Sequence, residues 1–437
     1  MKNICVVGTG YVGLVSGTGL ADFGNNVVCV DINKEKIDML LNGKIPIYEP
    51  GLKEVLDRNV QAGRLSFSTE VDKAIQAADV VFSAVGTPPG KGGEADLDAV
   101  WKVGETFAKN LNSYKIFVNK STVPVGTGKK VYQLISEKKN NTVGFDVVSN
   151  PEFLREGSAV GDFLRPDRVV IGSSSAKAAE IMKDVYRPLY LRETPVVETN
   201  IETAELIKYA SNAFLAVKIT FINEIANLCD IVGGDVHIVA KAMGLDGRIS
   251  PKFLHPGPGY GGSCFPKDTL ALTQIFREHG ISTKLVEAAV EVNENQKRLV
   301  VGKTKQLLPD LKDKTIAILG LSFKPNTDDT RESPAKTIIP ILEDAGAHVQ
   351  VFDPVAMEDF RRDFPKLDYR ISPYHAAENA HAIVLLTEWN EFRDMNLEKL
   401  KNTMIEPNFI DTRNVYNKRI MNSHGFRYVG MGRSLID

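Results

Sequence analysis

Cys264 has the setting in this sequence that most favours chemistry. It lies in FLHPGPGYGGSCFPKD (253–268), where four glycines and three prolines in sixteen residues make a loop of fixed shape whose N–H groups can face a ligand. Pro266 suits a first helical turn, and Asp268 with the stretch 270–276 supports a helix that starts there. Cys264 is then at a helix N-terminus beside Lys267, an environment that stabilises a thiolate. An isolated cysteine is more often a small buried apolar residue. That reading suits Cys5 and Cys29, inside strand-like runs, and Cys229, in an apolar helical stretch, but not Cys264.

Lys208 and Asn212 are four apart in a helix-like stretch, so both project from one face. An ammonium and an amide so placed can stabilise a developing oxyanion; a solvated lysine beside a capping-type asparagine has the same spacing. Glu152 and Glu156, also four apart, follow the strand-like segment 145–148 and could supply a general base or be surface charge. Near the N-terminus, Gly8-x-Gly10-x-x-Gly13 follows a strand-like run and opens a helix-like one. Gly8 permits the tight turn, Gly10 lets backbone approach a pyrophosphate, and Gly13 lets helix and strand pack closely. The helix N-terminus adds N–H donors for phosphate. Asp31 ends the second strand, where a carboxylate accepts from ribose hydroxyls and repels a 2′-phosphate. Together these features predict NAD in preference to NADP.

The elements that must hold these residues follow from the pattern around them. Strand-like runs at 4–7, 26–30, 80–85 and 116–118 alternate with helix-like segments, which predicts βαβ units around a parallel sheet. The same order returns late in the chain. KTIAILG (314–320) mirrors KNICVVG (2–8), 348–352 ends in Asp353 as 27–30 ends in Asp31, and 382–386 echoes 80–85. The second copy reads GLSFK (320–324) in place of the glycine motif, so side chains would block a second NAD. Lys324 and Arg331 could there meet anionic oxygens, or form a solvated basic pair. Between the copies, 201–233 carries Leu206, Ala210, Phe214, Val217, Phe221 and Ile225 at helical spacing. Such a helix spans about 40–45 Å, long enough to bridge two domains and offer a dimer surface, although an ordinary core helix fits the pattern too. The predicted fold class is α/β, two doubly wound Rossmann-like domains joined by a long central helix. The expected limits are 1–200 for the NAD-binding domain, 201–300 for a central helical linker and dimerisation region with the cysteine loop, and 301–437 for the second Rossmann-like domain.

Composition sets the outer bounds. A chain of 437 residues predicts about three domains at roughly 150 residues each. Lys plus Arg total 53 against 55 Asp plus Glu, so no basic field seeks nucleic acid or an anionic membrane. Hydrophobic residues at 43% and charged residues at 25% exclude general disorder, and no apolar run approaches the ~18 residues of a membrane span. Four cysteines with no CxxC pair argue against a disulfide scaffold and against a metal site. Lys2 and the small-residue stretch to Ala21 have some look of a signal peptide, but glycines at 8, 10, 13, 17 and 19 weaken it, so the expected location is cytoplasmic.

With these residues in place, the chain resembles the UDP-glucose 6-dehydrogenase family, within the wider nucleotide-sugar dehydrogenases. The resemblance rests on GTGYVG (8–13), VD (30–31), YEPGL (48–52), VGTP (85–88), KSTVPVGT (120–127), NPEFLREG (150–157) and DFLRPDRVVIG (162–172). It continues through ELIKYASNAFLAVKITFINE (205–224), DGRI (246–249), the cysteine loop and SFKPNTDDTRESPA (322–335). Asn26, where the family often has histidine, departs from the pattern outside the chemistry.

The resemblance implies a four-electron oxidation of a sugar C6 alcohol to a carboxylate, with two NAD and one water. An aldehyde cannot lose a hydride until a nucleophile has added, so Cys264 would form a thiohemiacetal, then a thioester that water hydrolyses. By the family pattern, Lys208 and Asn212 stabilise alkoxide and oxyanions, Glu152 is the base for hydrolysis, and Asp268 with Thr122 holds a water. The NAD contacts fall on Gly8, Gly10, Tyr11, Val12, Gly13, Asp31, Lys36, Thr87, Thr122, Glu156, Lys267 and Arg331. Contacts to the sugar nucleotide fall on Glu152, Phe153, Leu154, Arg155, Lys208, Asn212, Phe253, Leu254, His255, Pro256, Gly257, Gly261 and Lys324. Residues 301–437 would bind the UDP-sugar. Arg248 matches a residue that reaches the substrate from a neighbouring subunit, which implies a homodimer.

The Tyr260 loop and the overall match favour UDP-glucose. A GDP-mannose 6-dehydrogenase of the same family, which shares the Gly-Gly-Ser-Cys loop, is the alternative. A single-step hydroxyacid-type dehydrogenase places Lys and Asn similarly but has no use for Cys264 or a second βαβ domain. A non-catalytic NAD sensor needs neither the lysine, the cysteine nor the carboxylates.

Overall fold

The β-branched runs become strands because they are apolar on both faces and are buried only inside a sheet covered by helices on each side. In the computed structural model, which describes residues 1–90 and 93–433, they build two sheets. The first holds β1 (Asn3–Val7), β2 (Asn26–Val30), β3 (Leu65–Ser68), β4 (Val80–Ser83), β5 (Lys115–Asn119), β6 (Phe145–Ser149), β7 (Val169–Ser173) and β8 (Val196–Thr199). Its order is β3-β2-β1-β4-β5-β6-β7-β8, parallel except between β6 and β7. The second holds β9 (Thr315–Leu319), β10 (His348–Phe352), β11 (Asp368–Tyr369), β12 (Ala382–Leu385), β13 (Asn408–Asp411) and β14 (Arg427–Gly430). Its order, β11-β10-β9-β12-β13-β14, repeats the first six positions of the first sheet, the doubly wound arrangement whose ligands bind beyond the strand C-termini. The internal echo in the sequence is therefore a repeat of strand order. β4 stops at Ser83, two residues short of the apolar run, because residue 84 turns over the glycine loop: a Cβ on Gly8 would lie 2.7 Å from the Ala84 carbonyl oxygen.

Contacts divide the chain into two units, Met1–Ser211 with Gln274–His279, and Asn212–Thr273 with the residues from Gly280 onward. In the first, Leu14, Phe82 and Ile116 fill one face of the sheet and Phe107, Phe117 and Ile135 the other. In the second, Ile338 and Phe360 oppose Phe392 and Phe409. The helix Ile201–Val232 contributes residues to both units. Its buried face mixes polar and apolar side chains, with Ala204, Lys208, Tyr209, Asn212, Ala216, Ile222 and Asn223, whereas Leu206, Phe214 and Phe221 are 43%, 64% and 44% exposed. Leu206, Phe214 and Phe221 thus lie on the surface, while Tyr209 and Ile222 are packed inside. Among the described residues, no helix is long and apolar enough to cross a membrane.

Candidate active site

The glycine turn after β1 meets three different demands. Gly8 has φ +103°, a left-handed backbone that side chains disfavour. A Cβ on Gly13 would lie 1.9 Å from the Gly8 carbonyl oxygen, so helix and turn touch through bare backbone. A Cβ on Gly10 would meet nothing within 4 Å. Gly10 caps the helix Tyr11–Asp22, and the open space before that N-terminus is what a pyrophosphate requires. Asp31 follows β2, half-exposed, accepting from the Thr9 N–H and hydroxyl, both at 2.8 Å, and from the Asn33 N–H at 2.9 Å. Burial pushes its carboxyl up, but the Asn33 and Thr9 donors and the Lys36 charge outweigh it and hold the group below its usual range. The donor set and the spacing fit NAD.

The counterpart in the second sheet is built differently. Asp353, after β10, is fully buried and accepts from the N–H groups of Leu321, Ser322, Val355 and Ala356, the Ser322 hydroxyl and the Trp389 indole. Asp31 accepts three hydrogen bonds and stays half-exposed, whereas Asp353 accepts six and is closed off from solvent.

Glu49 links the glycine turn to the loop after β6. It accepts from the Tyr11 hydroxyl, from Gly157 N at 2.6 Å and from Ala159 N at 2.7 Å. Thr87 Oγ1 donates to Thr122 O at 3.0 Å. The helix Thr127–Lys138 beyond Thr122 is fixed by the Glu205 carboxylate, which takes the N–H groups of Gly126 and Gly128 at 2.6 and 2.7 Å.

Glu152 and Lys208 form an ion pair at 2.9 Å, with side chains 6% and 4% exposed. Glu152 also accepts from Leu154 N at 2.5 Å. Burial raises its carboxyl, but Lys208, the Leu154 N–H and Lys120 together hold it below the ordinary carboxylate range. Lys120, just after β5, is buried and donates to Asn150 Oδ1 at 3.0 Å and to the Tyr186 hydroxyl at 3.3 Å. Desolvation pulls its pKa down to about 8 against the pull of Glu152. Phe153 carries the Arg168 guanidinium 3.4 Å above its ring, and Lys208 lies 5.4 Å from the same ring. Arg155 is bidentate to Asp162 and exposed; Leu154 and Glu156 are half-buried.

In the second unit, Cys264 stands half-buried just before the helix Phe265–Glu278, its carbonyl accepting from Asp268 N at 2.8 Å. The predicted helix-terminal setting is therefore present. Asp268 is 1% exposed, one oxygen bound to Lys267 Nζ and the other to Asn212 Nδ2, each at 2.6 Å.

Buried amides fix the proline–glycine loop where no sheet or helix can. Asn223 Oδ1 accepts from Gly257 N, Gln296 Nε2 donates to Gly257 O, and Asn293 makes both bonds to the Tyr260 backbone. Gly261 and Gly262 then press on residues 323–332: their Cβ atoms would lie 2.2 Å from Glu332 O and 2.7 Å from the Phe323 ring. Lys324 and Arg331 belong to that same segment. Arg331 is exposed and bidentate to Asp329, and the Lys324 ammonium lies 5.3 Å from the Phe323 ring. Leu254 and Pro256 are buried, Phe253 is half-buried at φ +64°, and His255 is exposed. The Arg413 guanidinium faces Gly257, 2.9 Å from where its Cβ would stand. Arg248 is exposed and paired with Asp246 at 2.6 Å.

Sequence reasoning singled out Cys264, Lys208, Asn212, Glu152 and Asp268 but not the residues that hold their surroundings: Glu49, Lys120, Glu205, Asn223, Asn293, Gln296 and Arg413. Their only signal was polarity at otherwise apolar positions.

The chain matches the UDP-glucose/GDP-mannose dehydrogenase family in three consecutive parts. These are its NAD binding domain over residues 2–190, its central domain over 202–295 and its UDP binding domain over 317–418. A UDP-glucose 6-dehydrogenase from Rhizobium meliloti (strain 1021) is 53% identical over 434 residues, 98% of this chain and 99% of that protein. The UDP-glucose 6-dehydrogenase TuaD of Bacillus subtilis (strain 168) is 49% identical, covering 100% of this chain and 94% of its own. The solved structure of a UDP-glucose dehydrogenase from the hyperthermophilic archaeon Pyrobaculum islandicum matches with a TM-score of 0.92 at 38% identity, covering 99% of this chain and 98% of that one. On these grounds the chain belongs to the UDP-glucose/GDP-mannose dehydrogenase family.

Proposed function

We propose that this chain oxidises UDP-glucose to UDP-glucuronate, with two NAD+ and one water giving two NADH and three protons. The observation that carries the reading is Cys264 at a helix N-terminus, next to an Asp268 carboxylate held by Lys267 and Asn212. NAD, when bound by the Gly8–Gly13 turn and Asp31, supplies the acceptor for each hydride that leaves C6. Lys208 and Asn212 stabilise the C6 alkoxide and the later tetrahedral oxyanions. The Cys264 thiolate adds to the aldehyde carbon, and oxidation of that thiohemiacetal leaves a thioester. Glu152 takes a proton from the attacking water, the C–S bond breaks, and Cys264 leaves as thiolate. Asp268 and Thr122 hold a water near the reacting carbon. Glu156, Lys36, Thr87, Lys267 and Arg331 act toward NAD, and Arg155, Phe253–Gly257, Gly261 and Lys324 toward the sugar nucleotide.

The working division is 1–200 for NAD, 201–300 for the central region and 301–437 for UDP-glucose. We place the enzyme in the cytoplasm as a homodimer. Four free cysteines support the first, and the exposed stripe of the central helix, with the exposed Arg248 offered to a partner's substrate, supports the second.

Two measurements test the reading. Each UDP-glucose consumed should yield two NADH; a ratio of one overturns it. Cys264→Ala should make no UDP-glucuronate, and an undiminished rate would remove the nucleophile from the scheme. GDP-mannose, assayed in parallel, should support little NADH formation.

A further inference from the structure

Lys120 is a buried charge that the chemistry above leaves without a task. Among the described residues, its ammonium bonds to two neutral oxygens, on Asn150 and Tyr186, and to no carboxylate. The rings of Phe163 and Tyr186 lie 6.0 and 5.8 Å from it. Enclosing an ammonium this way is strongly unfavourable, and a methionine would fill the volume without that cost, so packing alone does not explain a charge here. Tyr186 also donates to Asn150 Oδ1 at 2.6 Å, and Asn150 Nδ2 donates to Val170 O at 2.7 Å, which fixes the amide with its oxygen toward the lysine. Asn150 opens the loop that carries Glu152, and the charge of Lys120 acts on both Glu152 and Lys208.

The need for a second cation follows from a conflict at Lys208. That ammonium neutralises Glu152 in the ion pair, yet the reaction also asks it to stabilise an oxyanion. One lysine cannot fully serve two anions, and a buried carboxylate deprived of its partner takes up a proton. A protonated Glu152 cannot act as base. We propose that Lys120 is a positioning residue for thioester hydrolysis, a second buried cation that keeps Glu152 ionised while Lys208 is engaged by the substrate oxyanion. The inference rests on the roles given above to Cys264 and Glu152. The charged and titratable groups around it are Glu152 from the loop, Lys208 from the central helix, the Tyr186 hydroxyl, and Arg168, whose charge also acts on Glu152.

The test is the pH dependence of UDP-glucuronate release from pH 5 to 9 in the wild type, Lys120→Arg and Lys120→Gln. Glutamine keeps a donor for Asn150 and removes the charge. Its acidic limb should move up by about one pH unit, so that release at a pH well down that limb is about tenfold slower than in Lys120→Arg, which keeps the wild-type limb. An unshifted limb in Lys120→Gln overturns the proposal, because a purely structural role lowers stability without moving a titration. If Lys120→Gln does not fold, Lys120→Met takes its place. If neither folds while Lys120→Arg does, the charge serves folding and the proposal fails. A wild type that leaves UDP-glucose untouched defeats the functional reading itself, a result distinct from an active wild type with an unshifted variant.

Discussion

The Lys208–Glu152 pair is dry enough that its two halves are far from interchangeable with solvent-exposed charges. Removing Lys208 leaves a buried carboxylate without its ion-pair partner, and such orphaned charges cost about 3–5 kcal/mol. Lys208→Met should therefore lower the unfolding free energy by about that much at pH 7, read by urea denaturation. The double variant Lys208→Met/Glu152→Gln should recover most of it, and a double variant no better than the single would show that the pair is not the source. The pH sense is fixed by the depressed carboxyl: its stabilisation is present above the unfolded pKa and lost as pH falls through the lower folded one. In Lys208→Met the carboxyl rises, so the deficit should shrink on acidification as Glu152 becomes neutral. The setting of Lys208, Asn212 and Cys264 on or before helices was legible because spacing and neighbours in the chain mark it. Glu49 was not, since its partners Tyr11 and Gly157 are 38 and 108 residues away and only the folded sheet brings them together.

The glycine turn separates what an element needs for folding from what it needs for binding. Gly13→Ala forces a Cβ into the Gly8 carbonyl, which should cost about 1–3 kcal/mol and lower the thermal midpoint. Gly10→Ala places its methyl in open space, so the midpoint should hold while NAD affinity falls about tenfold or more, measured by titrating protein fluorescence. A Gly10→Ala protein that binds NAD normally would mean the pyrophosphate does not lie over this helix. Strands and helices here were readable from period and from Gly and Pro, down to the start of the helix after Cys264. The loop before it was readable as rigid, but its cause was not. Asn223, Asn293 and Gln296 are ordinary amides in helical sequence, and only their convergence on Gly257 and Tyr260 makes the loop stiff. The second sheet gives the complementary lesson, since Asp353 has the position of Asp31 but the hydrogen bonds of a structural residue.

For the whole molecule, the question is what covers the central helix. Phe214, Phe221 and Leu228 are seven residues apart and 64%, 44% and 52% exposed, which draws an apolar line along a helix whose other face is already packed. Because these side chains are solvated in the single chain, replacing Phe214 and Phe221 by Glu should leave the fold intact. In the proposed homodimer it should convert dimer to monomer at micromolar concentration in analytical ultracentrifugation. A wild type that sediments as a monomer would sink the assembly. Arg248, exposed and bound to Asp246 two residues away, gives the sharper test, because it asks whether a partner completes the site. Arg248→Ala should stay dimeric while the KM for UDP-glucose rises at least about tenfold, as for loss of one partner in a charge contact. Cys264→Ala should be inactive for a different reason. Mixed and allowed to exchange subunits, the two variants form a heterodimer with one site that has both Cys264 from one chain and Arg248 from the other. Activity at low UDP-glucose should then return toward a quarter of the wild-type value, because half of the dimers are mixed and each mixed dimer has one intact site of two. If Arg248 served its own subunit, every site in the mixture would lack one group or the other, and mixing would restore nothing.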